Sequence, residues 1–591
     1  MTEILRFRSQ EQGEALAFRF LADGTTDHAI DWSYRDLADR SGAVAAELAG
    51  MAGRRVVLAV DPGLHYVAAL FGCMAADAVV VPSFPPAGRR ASARFLAIVA
   101  DCEPSVIIVS AWLAAEAEAL AAQLPPAARR ARWLLLDDGF FSQYEAATDL
   151  PAPRRRHLGH TGPALVQYTS GSTGEPKGIV LTQDNLISNC RVLEHSMGME
   201  PDRVGCSWLP PYHDMGLMGT IILALHGGWP VVMLSPVHFV QQPCRWLNAL
   251  TEYGVTISVA PNFALDLCLS TVTDEDLETL DLSALRQLYC GAEPVLASTL
   301  DRFRDRFAPC GYRESALIPC YGMAEATLFV SGKPGATMPY RTWLDRAALQ
   351  RGIIEPVPPQ AAGATEIVSC GTVAHGHEVV IADPQTGQRA EPGAVGEIWV
   401  SGPNVADGYF GRPELTAESF GVRILAAAGA DGGRTYLRTG DAGFLMDGEL
   451  FVTGRLKDMV IVAGRNLCPQ DIEASVLAAQ PGLRRAAAFS VRPDQGEEQL
   501  VVVAEFRRAD ALLVGVRDAV TAAVAAEHAV RLSDLYLGPP GTIATTTSGK
   551  VRRAATRQAY EEGTLKVLRP TLPSGGDAVR PGAHTAGELA Q

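Results

Sequence analysis

Residues 164–178 read Ala164-Leu-Val-Gln-Tyr168-Thr-Ser-Gly-Ser-Thr-Gly-Glu-Pro-Lys-Gly178. The short apolar run predicts a strand, and a loop of glycines and hydroxyls comes after it, closed by Pro176-Lys177-Gly178 before a second strand. Glycine lets a backbone approach an anion closely and turn its N–H groups inward. Gly171 and Gly174 supply that freedom, the hydroxyls of Thr169, Ser170, Ser172 and Thr173 add donors, and Lys177 adds charge. Such a loop is suited to holding phosphates. It is not the common Gly-Lys-Ser/Thr phosphate loop, because Pro176 precedes the lysine and Gly178 follows it, so the nucleotide is held in a different way.

Outward from this loop, β-rich runs alternate with Ala/Leu-rich stretches: Arg55-Val-Val-Leu-Ala-Val, then Tyr66 to Ala76, then Ala78-Val-Val-Val-Pro82. That βαβ rhythm predicts a largely parallel sheet covered by helices. It returns at Ser105-Val-Ile-Ile-Val, Trp229-Pro-Val-Val-Met-Leu and Val255-Thr-Ile-Ser-Val-Ala, so residues 1–330 read as doubly wound α/β. Beyond Ile367 the pattern becomes strand-dense, predicting a β subdomain over 366–455. From Lys457 a separate α+β programme begins, with a helix from Pro469 to Ala479, strands near Ala486 and Leu500, and a helix from Ala511 to Glu527. The expected organisation is a large N-terminal domain over 1–456, a small C-terminal domain over 457–568, and a disordered tail over 569–591 that is rich in Pro, Gly, Ala and charge.

A chain of 591 residues exceeds what one core supports, and 48% hydrophobic with 20% charged residues is the balance of a folded protein. The net charge of −15, with scattered Lys and Arg, excludes a general electrostatic grip on nucleic acid. Two segments approach membrane length, 66–82 and 216–234, but Asp77 interrupts one and His226, Gly227, Gly228 and Pro230 the other, so a buried helix followed by a strand is expected and stable membrane insertion is not. None of the 11 cysteines forms Cys-x-x-Cys, and no signal peptide is visible, which predicts reduced thiols in the cytoplasm.

Further motifs follow the loop in order: Gly291-Ala-Glu-Pro294, Tyr321-Gly-Met-Ala-Glu-Ala-Thr327, Arg438-Thr-Gly-Asp441, Gly454-Arg-Leu-Lys-Asp458 and Thr545-Thr-Thr-Ser-Gly-Lys550. Together the set resembles the adenylate-forming superfamily of acyl-CoA synthetases, luciferase, peptide-synthetase adenylation domains and fatty acyl-AMP ligases, over the chain up to about residue 568. The resemblance implies an enzyme that attacks the α-phosphate of ATP with a carboxylate and expels pyrophosphate. It implies that Gly291, Ala292 and Glu293 line the adenine pocket, as do Tyr321, Gly322, Met323 and Ala324, and that Glu325 holds Mg²⁺. Asp441 would accept the ribose hydroxyls, as an acceptor-only carboxylate suits a vicinal diol. Arg455 would contact ribose and phosphate, Lys457 would be the hinge of a mobile C-terminal domain, and Lys550 would be the catalytic lysine.

The acyl group is addressed by Trp208-Leu-Pro-Pro-Tyr-His-Asp-Met-Gly-Leu217 and Ala260-Pro-Asn-Phe-Ala-Leu-Asp-Leu-Cys268, each mixing a polar anchor with apolar walls. His213, Asp214, Met215, Asn262, Phe263 and Asp266 are the candidate pocket residues, with His213 also a candidate catalytic group beside Lys177 and Lys550. The wording of these stretches, with Gly464-Arg-Asn-x-x-Pro-Gln-Asp-Ile-Glu473, is similar to fatty acyl-AMP ligases. That resemblance implies a family-specific insertion, for which 341–363 is the candidate, and delivery of the fatty acyl group to the phosphopantetheine of an acyl carrier protein. Leu467-Cys468 and Leu265 depart from the family's usual residues, which bears on acceptor contacts and chain length. An acyl-CoA synthetase of the same fold is the alternative. A non-catalytic nucleotide-binding module is opposed by the joint presence of Lys177, Glu325 and Lys550.

Overall fold

The computed structural model describes residues 1–566 apart from 145–149, 152–161, 171–175, 199, 201, 334, 336, 426–432, 463–464, 481, 492–497, 507–514, 529 and 546–549. The chain divides into two compact units: Met1–Met459 with Thr545–Ala554, and Val460–Ala544 with the residues from Ala555 onward. The boundary expected after residue 456 therefore falls after Met459. The expected uninterrupted second domain, 457–568, differs in giving up Thr545–Ala554 to the first unit, a placement that local sequence pattern does not encode. The expected tail, 569–591, lies outside the described residues.

Two sheets build the larger unit. In the first, Arg55–Ala59, Val79–Pro82, Val106–Ser110 and Arg132–Leu136 run parallel, and β1 (Pro163–Ser170) joins them beside Val79–Pro82. β1 then turns back on β2 (Pro176–Thr182), with Thr169 opposite Lys177 and Ser170 opposite Pro176. The short strand Gly408–Tyr409 closes this sheet by pairing with β2.

The second sheet has 13 strands. Its middle is four parallel neighbours, β3 (Gly205–Ser207), β4 (Ile257–Val259), β5 (Gln287–Cys290) and β6 (Leu317–Gly322). Apolar residues pack this layer on both faces, Ile257, Tyr289 and Ile318 into one core and Cys206, Leu288, Cys290 and Leu317 into another, as in covered parallel sheets. The β subdomain expected over 366–455 is not a separate sheet. Phe329–Gly332 and Thr372–Val373 carry β6 antiparallel into β8 (Glu449–Arg455) and β7 (Leu437–Met446), so its strands extend the parallel core. The crossing requires glycine: at Gly371, with φ +80°, a Cβ would stand 2.0 Å from the Gly332 carbonyl carbon. No alternation pattern reports such a join.

The segment from Tyr66 is a helix, Leu64–Ala75, followed by the strand Val79–Pro82. The segment from Gly216 is helical to Gly227, ends at left-handed Gly228 (φ +76°), and continues as the strand Val231–Leu234. Among the described residues no helix is long and apolar enough to cross a membrane.

The candidate insertion, 341–363, begins with a strand, Arg341–Asp345, that pairs antiparallel with Ala364–Val368, and the short helix Arg346–Gln350 lies between them. Arg341 binds Asp301 at 2.8 Å and Glu314 at 2.5 Å. Leu344 is fully buried against Phe444 and Phe451, whose rings stack 4.7 Å apart.

In the second unit, Gln499–Phe506 lies between Leu483–Val491 and Leu532–Gly538. The helix Pro469–Ala479 spans the residues expected of it, and the later helix runs Val516–His528 within the described residues. Ile472, Val476, Val502, Val520 and Val524 form the centre of this unit's own core.

Truncating Leu344 to Ala is expected to cost about 2–5 kcal/mol by opening a cavity beside the stacked phenylalanines. A lowered thermal unfolding midpoint, with faster proteolysis within 345–363, checks it.

Candidate active site

Four parallel neighbours deliver the predicted motifs to one edge. β3 runs into Trp208–Leu217, β4 into Ala260–Cys268, β5 into Gly291–Glu293 and β6 into Tyr321–Glu325. The carboxyl edge of a parallel sheet is where α/β folds bind ligands. Backbone shape there is tightly constrained. A Cβ on Gly322 would lie 1.7 Å from the Leu328 carbonyl oxygen, and one on Gly291 2.6 Å from that of Cys320. Ala292 (φ +69°) and Thr327 (φ +61°) adopt left-handed backbone that side-chain-bearing residues seldom take.

Asp441 stands on β7 directly opposite Arg455 on β8. Arg455 Nε lies 3.1 Å from Asp441 Oδ1, and the Tyr321 hydroxyl donates to Oδ2 at 2.7 Å. Burial pushes the Asp441 carboxyl up, against the pull of Arg455. Arg455 in turn is raised by Asp441. A carboxylate offers about four acceptor positions; two are taken here, which leaves capacity for a diol. Tyr321 is buried, and its hydroxyl also approaches the Met323 sulfur at 3.8 Å. Ala324 is buried beside it.

Glu325 accepts a hydrogen bond from the Tyr409 hydroxyl at 3.0 Å, and burial raises its carboxyl. The Tyr409 ring also lies 5.7 Å from the Lys177 ammonium. Tyr409 thus links the lysine of the phosphate loop to the candidate metal carboxylate, and the sequence gives no sign of it: Gly408-Tyr409 is an ordinary dipeptide, and only its pairing with Ile179 and Val180 brings it here. Thr169 is half-buried at the end of β1. Gly171, Ser172, Thr173, Gly174 and the Ser170 side chain lie outside the described residues.

A second cluster surrounds Lys550. The ammonium sits in the field of Asp214, Glu293, Arg455 and Asp441; burial lowers its pKa, and Asp214 and Glu293 oppose that most. His213 Nδ1 lies 2.7 Å from Asp214 Oδ1, and the Met215 N–H donates to the same oxygen at 2.8 Å. Burial works against the Asp214 charge, but His213, Lys550 and Met215 prevail and hold it down to about 2. Glu293 accepts the Phe263 N–H at 2.6 Å, and burial raises its carboxyl. Met215 is buried, Trp208 stacks on Phe239 at 3.8 Å, and Phe263 meets Trp208 edge-on at 6.0 Å, giving an apolar wall beside the charged groups.

Not every candidate joins this cluster. Asn262 and Asp266, expected at the acyl pocket, bind each other at 3.0 Å on α1 (Asn262–Thr271) and fasten it to α2 (Ala297–Phe307) through Thr299 and Arg302. Lys457 is exposed on the turn Leu456–Asp458, two residues before the unit boundary. The departures Leu467 and Cys468 lie in the second unit.

Lys177 of the first sheet, Asp441 and Glu325 of the second, and Lys550 in the field of Asp214 and Glu293 all belong to the larger unit, the residue set of a nucleotide-dependent, acid-activating ligase. Residues 5–410 match the AMP-binding enzyme family. The chain is 37% identical over 579 residues to the medium-chain-fatty-acid–[acyl-carrier-protein] ligase JamA of Moorena producens, covering 96% of this chain and 95% of that protein. It is 35% identical to the long-chain-fatty-acid–AMP ligase FadD26 of Mycobacterium tuberculosis, covering 96% of this chain and 98% of FadD26. Among solved structures it is similar to the fatty acyl-adenylate ligase of L. pneumophila in complex with acyl adenylate and pyrophosphate, with a TM-score of 0.72, 31% identity, and 96% and 97% of the two chains covered. The protein belongs to the AMP-binding enzyme family, as an adenylate-forming ligase.

Asp441→Asn keeps the shape but removes the charge opposite Arg455, and is expected to weaken ATP binding about tenfold or more, measured calorimetrically. Asp214→Asn tests a pH dependence. Because the folded-state pKa of Asp214 lies at about 2, below the unfolded value of about 3.9, its contribution is present above pH 4 and is lost as pH falls toward 2. The variant is expected to lose on the order of 2 kcal/mol at neutral pH and to unfold with a flatter acid dependence between pH 4 and 2.

Proposed function

We propose that this protein activates a medium- or long-chain fatty acid with ATP and passes the acyl group to the phosphopantetheine thiol of an acyl carrier protein. In the first step a carboxylate oxygen bonds to the α-phosphorus as the bond to the β-phosphate bridge breaks, and pyrophosphate leaves. In the second, the thiolate sulfur bonds to the acyl carbonyl and AMP leaves. The observation that carries this reading is that Lys550 sits in the field of Asp214, Glu293 and Asp441, in the same unit as the apolar Trp208–Phe263 pair.

Each residue has a part in that chemistry. Asp441 and Arg455 hold the ribose, and Gly291–Glu293 with Tyr321–Ala324 border the base. Thr169–Gly174 and Lys177 hold the phosphates. Lys550 is a compact positive charge placed where negative charge gathers between carboxylate and α-phosphate, an effect worth most in a site shielded from water. His213, Asp214, Met215 and Phe263 form the mouth of the acyl site, while Asn262 and Asp266 shape it from behind by fixing α1 on α2. Lys457 serves as the hinge of a moving second unit.

Mg²⁺ fits the donors present. Mg²⁺ is bound through one or two carboxylates plus phosphate oxygens and waters. Glu325 is a half-buried carboxylate that accepts the Tyr409 hydroxyl. The ion bound there would neutralise phosphate charge. The fatty acid and carrier partners are supported by the names of JamA and FadD26 and by the apolar wall. The site of action in this reading is the cytoplasm, in keeping with a sequence whose 11 cysteines form no Cys-x-x-Cys.

Lys550→Ala is expected to lower fatty-acid-dependent pyrophosphate–ATP exchange at least about a hundredfold while ATP binding stays within about twofold, because the charge acts on the transition state. Equal losses in both would remove Lys550 from catalysis. Incubation with ATP, Mg²⁺ and C8–C16 acids, with holo carrier protein or with CoA, is expected to load the carrier, seen by intact mass; efficient acyl-CoA formation would instead make the protein an acyl-CoA synthetase.

A further inference from the structure

The backbone around Tyr409 is held from both sheets of the larger unit. Gly408 and Tyr409 pair with Val180 and Ile179 on β2, the strand that carries Lys177, and the Phe410 N–H donates to the Gly178 carbonyl at 2.7 Å. From the turn after β6, the Glu325 carbonyl accepts the Ala406 N–H at 2.9 Å. On the helix Pro413–Ser419, Thr416 Oγ1 accepts the Tyr409 N–H at 2.9 Å, and a Cβ on Gly408 would stand 2.3 Å from Thr416 Cγ2, so only glycine fits there. Arg412 binds Asp101 at 2.7 Å, and the same carboxylate accepts the Tyr168 hydroxyl. The Tyr409 side chain thus starts from a fixed origin. Its ring meets Phe420 edge-on at 5.2 Å and the Lys177 ammonium at 5.7 Å, and its hydroxyl reaches Glu325 Oε1 at 3.0 Å. All of these residues lie within Met1–Met459, in one unit.

We infer that Tyr409 is a positioning residue for divalent-cation binding at Glu325: its hydroxyl takes one carboxylate oxygen and fixes the orientation of the group, while its ring holds the Lys177 ammonium. Mg²⁺ demands near-ideal octahedral geometry and takes few ligands from protein, so a flexible glutamate serves it well only when an outer hydrogen bond sets the carboxylate plane. The carboxylate offers about four acceptor positions, so one hydroxyl leaves capacity for the ion. A tyrosine kept only for packing would need its ring but not its oxygen. The inference rests on the proposed role of Glu325.

Tyr409→Phe keeps the ring, with its contacts to Phe420 and Lys177, and removes the hydroxyl. ATP binding is measured by calorimetry on the full chain, once with Mg²⁺ and once with EDTA, for the native protein, Tyr409→Phe, Glu325→Gln and the double variant. The gain in ATP affinity brought by Mg²⁺ is expected to fall about tenfold in Tyr409→Phe, while affinity in EDTA stays within about twofold. In pyrophosphate–ATP exchange driven by a fatty acid, the half-saturating Mg²⁺ concentration should rise about tenfold, with kcat at saturating Mg²⁺ within about threefold. The double variant should lose no more of the Mg²⁺ gain than Glu325→Gln alone, as expected of residues acting through one group. If Tyr409→Phe fails to fold, Tyr409→Leu removes the same hydroxyl and the Mg²⁺ gain is read in the same way. A gain left intact without the hydroxyl, alongside its loss in Glu325→Gln, would overturn this inference and leave the role of Glu325 standing. Equal losses of affinity in Mg²⁺ and in EDTA for Tyr409→Phe, or a further loss in the double variant, would place the effect of the hydroxyl elsewhere and equally overturn it. A full Mg²⁺ gain in Glu325→Gln would remove the proposed role of Glu325 and this inference together.

Discussion

Negative charge held out of water is the constraint around which the larger unit is arranged. Asp214, Glu293 and Glu325 follow strands of the parallel core and Asp441 lies within β7, and burial opposes ionisation at each of them. A buried carboxylate without partners is expensive, and breaking up a paired one leaves an uncompensated charge. The compensation is drawn from every part of the unit: Arg455 from the neighbouring strand, Tyr321 from the parallel core, Tyr409 from a strand that joins the other sheet, the Phe263 and Met215 amides, and Lys550 from a segment more than 90 residues beyond Arg455. On the proposed function, a substrate carrying several phosphates and a carboxylate would bring more negative charge to the same place. The same cations would then be shared between these carboxylates and the ligand.

This sharing explains why so many positions are geometrically tight. Gly322 and Gly291 have no room for a side chain, and Thr327 keeps a left-handed backbone while its hydroxyl bonds the Asn404 carbonyl at 2.6 Å. Asn404 is itself buried and ties Asn189 to Phe329, so the turn after β6 is fixed from three directions. Precision in the Tyr321–Glu325 stretch thus comes from packing far from any charge. The polar knot of Asn262, Asp266, Thr299 and Arg302 serves β4 and β5 in the same way, by locking α1 onto α2 behind the loops that face the site.

Much of this is legible in the amino-acid sequence. Strand runs followed by glycine-bearing motifs mark the ends of β5 and β6, and the β1–β2 turn is recognisable from its composition, although residues 171–174 lie outside the described structure. Three features are hidden, each for a physical reason. Tyr321 and Asp441 are 120 residues apart, and no local pattern reports a hydroxyl meeting a carboxylate across that distance. Tyr409 matters through strand pairing rather than through its own neighbours in the chain. Asn262 and Asp266 look like ligand groups because a polar residue in an apolar helix signals either function or a buried hydrogen bond, and sequence alone cannot separate the two.

The ownership of Thr545–Ala554 has a consequence at the level of the gene. A stop codon after Met459 would leave both sheets, the Asp441–Arg455 pair, Glu325 and the entire acyl wall encoded, and would delete Lys550 with everything that presents it. On the proposed roles, one nonsense mutation would remove the catalytic lysine while keeping the residues that hold its substrates. On that proposal, capture and turnover are separable by the length of the message alone.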